Sequence, residues 1–106
     1  GSTAYALSAG GPILHPGLAA IALVPIAPHT LSNRPIAIHS TSRIDIVLVR
    51  GAGARANFDV QLQAELAEGD VVGVAAAAKP AILLHPPGYR YFSMLRDKLR
   101  WNERNA

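Results

Sequence analysis

Proline interrupts the apolar first third of this chain so often that no long regular element can form there. The five prolines of that region are Pro12, Pro16, Pro25, Pro28 and Pro35. A proline in a helix interior removes a backbone donor and breaks the helix. No apolar run therefore reaches the roughly 20 residues that a membrane-spanning helix requires. The sequence predicts short elements in this region and no membrane partner.

The longest apolar stretch between these prolines covers residues 19–26. A run of this length bounded by proline and glycine predicts a strand that is buried on both faces or lies along an interface. Pro25 cannot donate to a ladder, which weakens the strand near its end. Residues 28–35 follow as a turn-like loop, in which His29, Thr30 and Asn33 offer side-chain hydrogen bonds.

Further strands are predicted between turn signals, at residues 43–50, 57–63, 71–78 and 81–85. A short helix over residues 2–9 stops at Gly10-Gly11-Pro12. A second, amphipathic helix covers residues 89–101, because Tyr89, Phe92, Leu95 and Leu99 recur at helical spacing. This order of elements predicts an α+β fold that is mainly β, with a β-sandwich-like or meander arrangement.

The composition indicates one globular domain over residues 1–106. Half of the 106 residues are hydrophobic and 16% are charged, which excludes a disordered tail. A chain of this length buries somewhat over roughly 60% of its unfolded surface, so its core is modest and a partner would help it. The absence of cysteine excludes disulfides and thiolate metal sites, and we expect a cytoplasmic protein.

The net charge of +3 is concentrated near the carboxy terminus, at Arg90, Arg96, Lys98, Arg100 and Arg104. Such a patch suggests nucleic acid as a first hypothesis. However, Asp97 and Glu103 lie between these basic residues in the sequence, and no nucleic-acid motif accompanies them. We therefore favour a solvated helix face and expect no nucleic-acid partner.

The motifs that most often mark catalysis or nucleotide binding are missing. There is no Walker-type loop, and Gly51-x-Gly53 lacks the third glycine of a dinucleotide fingerprint. The four histidines do not have the paired spacing of a helical metal site, so no metal ligand is assigned. The aspartates at 45, 59, 70 and 97 each have a structural interpretation on a strand face, in a turn or on a helix surface, and none is assigned a catalytic role.

The amino-terminal segment is the one place where groups suited to a nucleotide cluster. Ser2, Thr3, Tyr5 and Ser8 lie at the start of the predicted short helix. Free backbone N–H groups there could receive a phosphate, and Tyr5 could stack on a base. The alternative is that Ser2 or Thr3 only caps the helix and that Tyr5 only packs.

Three separated blocks of the sequence resemble blocks of bacterial NAD kinases, in the carboxy-terminal portion of that family. They are STAYALSAGGPILHP at residues 2–16, PHTLSNRP at residues 28–35 and YFSMLRDKLRW at residues 91–101. The resemblance implies a transferase that moves the terminal phosphoryl group of ATP, or of polyphosphate, to the 2′-hydroxyl of the adenosine ribose of NAD. It also implies Mg²⁺ or another divalent cation, NADP as product, and a homodimer or homotetramer.

The same resemblance assigns site residues. Thr3, Ala4, Tyr5 and Ser8 match the first block and would line the adenosine side of the NAD site, with Tyr5 against the adenine. In the second block, Ala27 and His29 would border a dinucleotide or interface pocket, and residues 33–34 would orient that loop. Arg34 could equally be a structural ion-pair partner.

One departure from the family is large. Its Gly-Gly-Asp-Gly-Thr loop, whose aspartate is the general base, is not found in these residues, and neither is its Asn-Glu or Asn-Asp pair. We therefore expect this chain alone to bind but not to catalyse, as a part without the amino-terminal catalytic domain. The alternative from another class is a non-catalytic β-rich module for oligomerisation or interaction. A lipid or sphingoid-base kinase relative is a third, less favoured hypothesis.

Overall fold

The computed structural model describes residues 5–27 and 33–101, and these residues form a mainly β structure with one helix near the carboxy terminus. The strands are β1 (Ala20–Leu23), β2 (Ile36–His39), β3 (Ile44–Val47), β4 (Ala54–Phe58), β5 (Leu62–Leu66) and β6 (Val71–Val74), and the helix is α1 (Tyr91–Leu99). The predicted α+β, mainly β class is therefore confirmed.

Within the described part of the chain, the strands pair as three two-stranded antiparallel sheets, β1 with β2, β3 with β6 and β4 with β5. In the sequence, the β4–β5 hairpin lies between β3 and β6, which pair with each other. Backbone hydrogen bonds from Leu48 N–H to Asp70 O and from Gly69 N–H to Leu48 O extend the β3–β6 ladder past its last strand residues. Within the described residues each ladder is two strands wide, and the β-sandwich-like arrangement expected from the sequence stays a prediction.

The prediction of one strand at residues 57–63 is wrong, because the chain reverses direction within this range. β4 ends at Phe58, β5 begins at Leu62, and a turn between them is closed by Gln61 N–H donating to Phe58 O at 3.1 Å. Asp59 and Val60 both have positive φ, at 50° and 67°. Aspartate is common in such turns, but valine is not, because glycine normally supplies the second positive φ. The alternation of apolar and polar residues therefore masked a hairpin.

Two further predictions about strands are corrected. Strand β2 forms at residues that the sequence left unassigned, because its Ile-Ala-Ile-His segment pairs residue by residue with β1. Residues 81–85 form no strand, and Ile82, Leu83 and Leu84 are among the most exposed apolar side chains. Proline on both sides of this segment, at 80 and at 86–87, limits the ladder donors available to it.

The predicted amino-terminal helix is not established. Its first three residues lie outside the described part of the chain, and residues 5–8 form a single helical turn. Gly10 has φ +79° and stops this turn, as the sequence predicted. The carboxy-terminal helix is shorter than predicted at both ends: a turn from Pro86 O to Tyr89 N–H precedes it, and Arg100 ends it in the left-handed conformation.

Very little of the described chain is shielded from solvent. The buried apolar residues are Ala6, Ile44 and Leu95. The accessible surface is 9246 Å², whereas a folded monomer of this mass exposes about 5,700 Å². Large apolar side chains, such as Val49 and Val60, contribute to this excess. The three ladders are thus held mainly by their own hydrogen bonds, and their outer faces remain uncovered.

Replacing Val60 by glycine tests the strain at the β4–β5 turn. A β-branched residue at φ 67° is costly, and the side chain is 85% exposed, so little packing is lost on its removal. We expect Val60→Gly in the full-length protein to raise the free energy of unfolding by about 1 kcal/mol. Thermal or urea unfolding of the two proteins measures the difference.

The matched control is Val49→Gly, at an exposed valine that does not have positive φ. Glycine there should lower stability by about 0.5–1 kcal/mol through backbone entropy. Equal destabilisation by both substitutions would contradict the assignment of strain to Val60.

Candidate functional site

An open cavity of about 610 Å³ lies between the amino-terminal helical turn and β1. The described residues of its lining are mostly apolar and include one tyrosine and one aspartate. The lining residues are Tyr5, Ala6, Ala9, Leu14, Ala20, Ile21, Ala22, Val24, Ile26 and Asp59. Cavities of this size and apolar character are typical of sites for small organic ligands.

The helical turn and β1 are brought together by a close approach at Gly11. Gly11 N–H donates to Ala6 O at 2.6 Å, and Gly11 is itself buried. A Cβ atom at this position would lie 2.7 Å from Ala6 O and 2.9 Å from Val24 Cγ2, closer than side-chain carbons are found. Glycine is therefore needed for this packing. Ala6 and Val24 both line the cavity, so the contact at Gly11 fixes the separation of its two walls.

Tyr5 is one of the residues that line the cavity. Its side chain is 73% exposed, so its ring is available to a ligand rather than packed in a core. Tyr5 O accepts a hydrogen bond from Ala9 N–H at 3.2 Å, which places the tyrosine at the first described position of the helical turn. An aromatic ring facing small apolar side chains is a suitable surface for a planar base.

The other predicted site residues are only partly described. Thr3, Ala4 and His29 lie outside the described residues. Ser8 is on the same helical turn as Tyr5, between two residues that line the cavity, and is exposed. Ala27 directly follows the lining residue Ile26 and has φ 49°. The structure thus brings Tyr5 and Ser8 together on one turn and places Ala27 next to the opposite wall.

Several lining residues were not predicted from the sequence. Leu14, Ile21 and Val24 gave no signal beyond their hydrophobicity. Asp59 was interpreted as a structural aspartate, whereas it lies at the tip of the β4–β5 hairpin and lines the cavity. Its approach to residues 5–26 depends on tertiary structure, which no local pattern could indicate.

Asp45, Asp70 and His15 each have contacts within the described chain that explain them structurally. Asp45 forms an ion pair with Arg43 at 3.1 Å, and Asp70 Oδ2 accepts from Ala67 N–H at 2.8 Å. His15 Nδ1 accepts from Gly17 N–H, and its ring packs on Tyr91 with centroids 4.8 Å apart. Across residues 5–27 and 33–101, no group of three histidine or carboxylate side chains could hold a metal ion.

The helix α1 is relevant to the expectations about membrane and nucleic-acid partners. No helix in residues 5–27 and 33–101 has the length and apolar character needed to cross a bilayer. In α1, Arg96 and Lys98 occupy the last turn, where positive charge interacts favourably with the helix dipole. Arg96 Nη2 also donates to Ser93 Oγ at 3.3 Å. These basic residues therefore have a structural interpretation within the helix.

Comparison with known proteins relates this site to a family. Residues 1–85 match the family model described as the ATP-NAD kinase C-terminal domain. The chain is 55% identical over 104 residues to the NAD kinase of Chromobacterium violaceum, covering 98% of this chain and 36% of that protein. It is 57% identical over 103 residues to the NAD kinase of Variovorax paradoxus, covering 97% of this chain and 34% of that protein.

A third relative, the NAD kinase of Polaromonas sp. strain JS666, is 54% identical over 103 residues, covering 97% of this chain and 35% of that protein. The chain thus spans about a third of the length of these relatives. The matched region includes the helical turn at Tyr5, the close approach at Gly11, β1 and the β4–β5 hairpin, which together enclose the cavity. On this match the chain belongs to the NAD kinase family, and it corresponds to the carboxy-terminal part of that family's proteins.

Proposed function

We propose that the complete protein transfers the terminal phosphoryl group of ATP to the 2′-hydroxyl of the adenosine ribose of NAD, giving NADP. In this proposal the cavity between the helical turn and β1 holds the adenine end of NAD. The observation that carries it is the position of Tyr5, whose exposed ring borders an apolar cavity within the region matched to the family.

The shape and chemistry of the cavity support adenine rather than a charged group at this place. Alanine and aliphatic side chains form its walls, and these favour an uncharged planar ring. The alanines among them keep the walls thin, so that backbone can approach the ligand closely. The phosphates of NAD would then extend out of the cavity. Thr3, Ala4, Ser8, Ala27 and His29 are proposed as further contacts on this side of the dinucleotide.

The reaction itself requires groups that the described residues do not assemble. Phosphoryl transfer needs a base to orient the hydroxyl and a divalent cation such as Mg²⁺ to neutralise the phosphates. The described part of the chain has no group of three possible metal ligands, so we assign no cation ligand in it and derive no step through the cation. We propose that this chain supplies binding and orientation, while another part of the protein supplies the base. Polyphosphate is the alternative donor.

We propose that the protein is cytoplasmic, and the uncovered apolar faces favour a homodimer or homotetramer. Exposed apolar patches of this extent mark surfaces that other protein covers. Ile26, Ile36 and Phe58 are examples from three different segments, each about half exposed or more. The same observation also supports the rival function, a β-rich interaction module without nucleotide affinity. Binding of NAD separates the two functions, because an interaction module has no reason to bind it.

Replacing Tyr5 by alanine tests the adenine site. If the ring stacks on adenine, Tyr5→Ala in the full-length protein should weaken NAD binding by roughly 1 to 3 kcal/mol, a rise in Kd of about 5- to 150-fold. Tyr5→Phe should keep most of the affinity, because it keeps the ring. Isothermal titration with NAD measures these constants.

The matched control is Tyr89→Ala. Tyr89 stacks on His85 with ring centroids 4.0 Å apart and does not line the cavity, so its removal should leave the NAD affinity unchanged. An unchanged affinity in Tyr5→Ala would remove the proposed stacking role.

A phosphorylation assay tests the reaction. The full-length protein should form NADP from NAD when ATP or polyphosphate and Mg²⁺ are present, and chelation of the cation should stop the reaction. The 106-residue chain assayed alone should form none. NADP formation by the 106-residue chain would place the catalytic base within it, contrary to the proposal. A full-length protein that binds NAD but forms no NADP with either donor would contradict the proposed reaction.

A further inference from the structure

Among the described residues that line the cavity, Asp59 is the one that carries a charge. The other lining residues come from the segment between Tyr5 and Ile26, whereas Asp59 comes from the β4–β5 hairpin, more than thirty positions later in the chain. Asp59 is exposed to solvent, so its side chain is accessible to a ligand. A hydrogen bond that a ligand donates to an ionised carboxylate is stronger than one between neutral groups.

The turn at the hairpin tip holds the backbone of Asp59 in one conformation. Asp59 and the following Val60 both lie in the left-handed region, and the turn is closed by the Gln61 N–H to Phe58 O hydrogen bond. Aspartate is among the residues that adopt this region most readily, whereas a β-branched valine there costs of order 1–3 kcal/mol. Val60 is 85% exposed, so its packing does not compensate. The closed turn therefore fixes the position from which the Asp59 side chain extends.

No ion pair or hydrogen bond within the described residues occupies the Asp59 carboxylate, in contrast to Asp45, which pairs with Arg43, and Asp70, which accepts from Ala67 N–H. An ionised carboxylate can only accept hydrogen bonds. Its ligand partner must therefore be a donor, and a phosphate group is disfavoured by like charge. The apolar walls of the cavity favour a planar ring. The exocyclic amino group of a purine is a donor on such a ring that can bind the carboxylate.

We propose that the Asp59 carboxylate accepts a hydrogen bond from the adenine amino group and thereby makes the cavity selective for adenine over hypoxanthine. This inference rests on the proposed function, because it assumes that the cavity holds the base of NAD. In hypoxanthine a carbonyl oxygen replaces the amino group, so the carboxylate would face an acceptor and lose its hydrogen bond. Tyr5 then supplies stacking that does not depend on the base, and Asp59 supplies the discrimination.

The test compares NAD with nicotinamide hypoxanthine dinucleotide, in which oxygen replaces the amino group at C6 of the base and N1 carries a hydrogen. Kd values are measured for both ligands with the full-length protein and with Asp59→Gly. Glycine is chosen because it adopts φ 50° without strain, so the hairpin keeps its turn while the carboxylate is removed. The wild-type protein should prefer NAD by roughly 10-fold or more, and Asp59→Gly should reduce that preference to about 2-fold or less.

Glu65→Gln is the matched control. Glu65 is an exposed carboxylate of the same hairpin, paired across the ladder with Arg55, and it does not line the cavity. Its neutralisation removes the same charge from the same hairpin and should leave the preference for NAD unchanged. The ratio of two Kd values measured on one sample is also insensitive to any loss of folded protein.

The outcomes separate this inference from the proposed function. If Asp59→Gly raises the Kd of both dinucleotides equally, or changes neither Kd, the proposed hydrogen bond to the amino group is wrong. The proposal that the protein binds NAD is then unaffected. If Glu65→Gln lowers the preference as much as Asp59→Gly does, the effect is general electrostatics and the assignment to Asp59 is also wrong. If the wild-type protein binds neither dinucleotide, the proposed function itself fails.

Discussion

The contact at Gly11 is the constraint on which the site depends. Because this residue has no Cβ, its backbone can donate to Ala6 O and still pack against the Val24 side chain. The helical turn that carries Tyr5 is thereby fixed against the end of β1, and the cavity is the space that remains between them. A larger residue at 11 would have to push one wall outward. The glycine at position 11 thus sets the separation of the two walls of the cavity.

The rest of the described chain has little core with which to hold this geometry. Three small ladders and one helix bury few apolar side chains, and about 3,500 Å² more surface is exposed than in a folded monomer of this mass. Binding and assembly therefore matter for stability as well as for function, since any partner that binds the folded state stabilises it. A ligand in the cavity would connect the helical turn, β1 and the β4–β5 hairpin, which otherwise have few contacts in common.

The sequence indicated the elements whose signals are local. Proline spacing located the strand around Ala20–Leu23, and apolar periodicity located the helix at Tyr91–Leu99. It failed at the β4–β5 turn, because alternation continues through Asp59 and Val60 without a glycine or proline to mark the reversal. It also missed β2, whose four residues become a strand only by pairing with β1. Within the site, Tyr5 was found through its sequence motif, whereas Asp59 joins the cavity through tertiary structure alone.

We propose that the dinucleotide is held by the helical turn, β1 and the tip of the β4–β5 hairpin. Hydrogen–deuterium exchange of the full-length protein with and without NAD tests this placement, with β3 and β6 as an internal reference for the same chain. We expect NAD to slow exchange of the backbone amides in residues 5–11, 20–26 and 58–61, and to change residues 44–47 and 71–74 much less. Slower exchange confined to other segments, with these three unchanged, would contradict it.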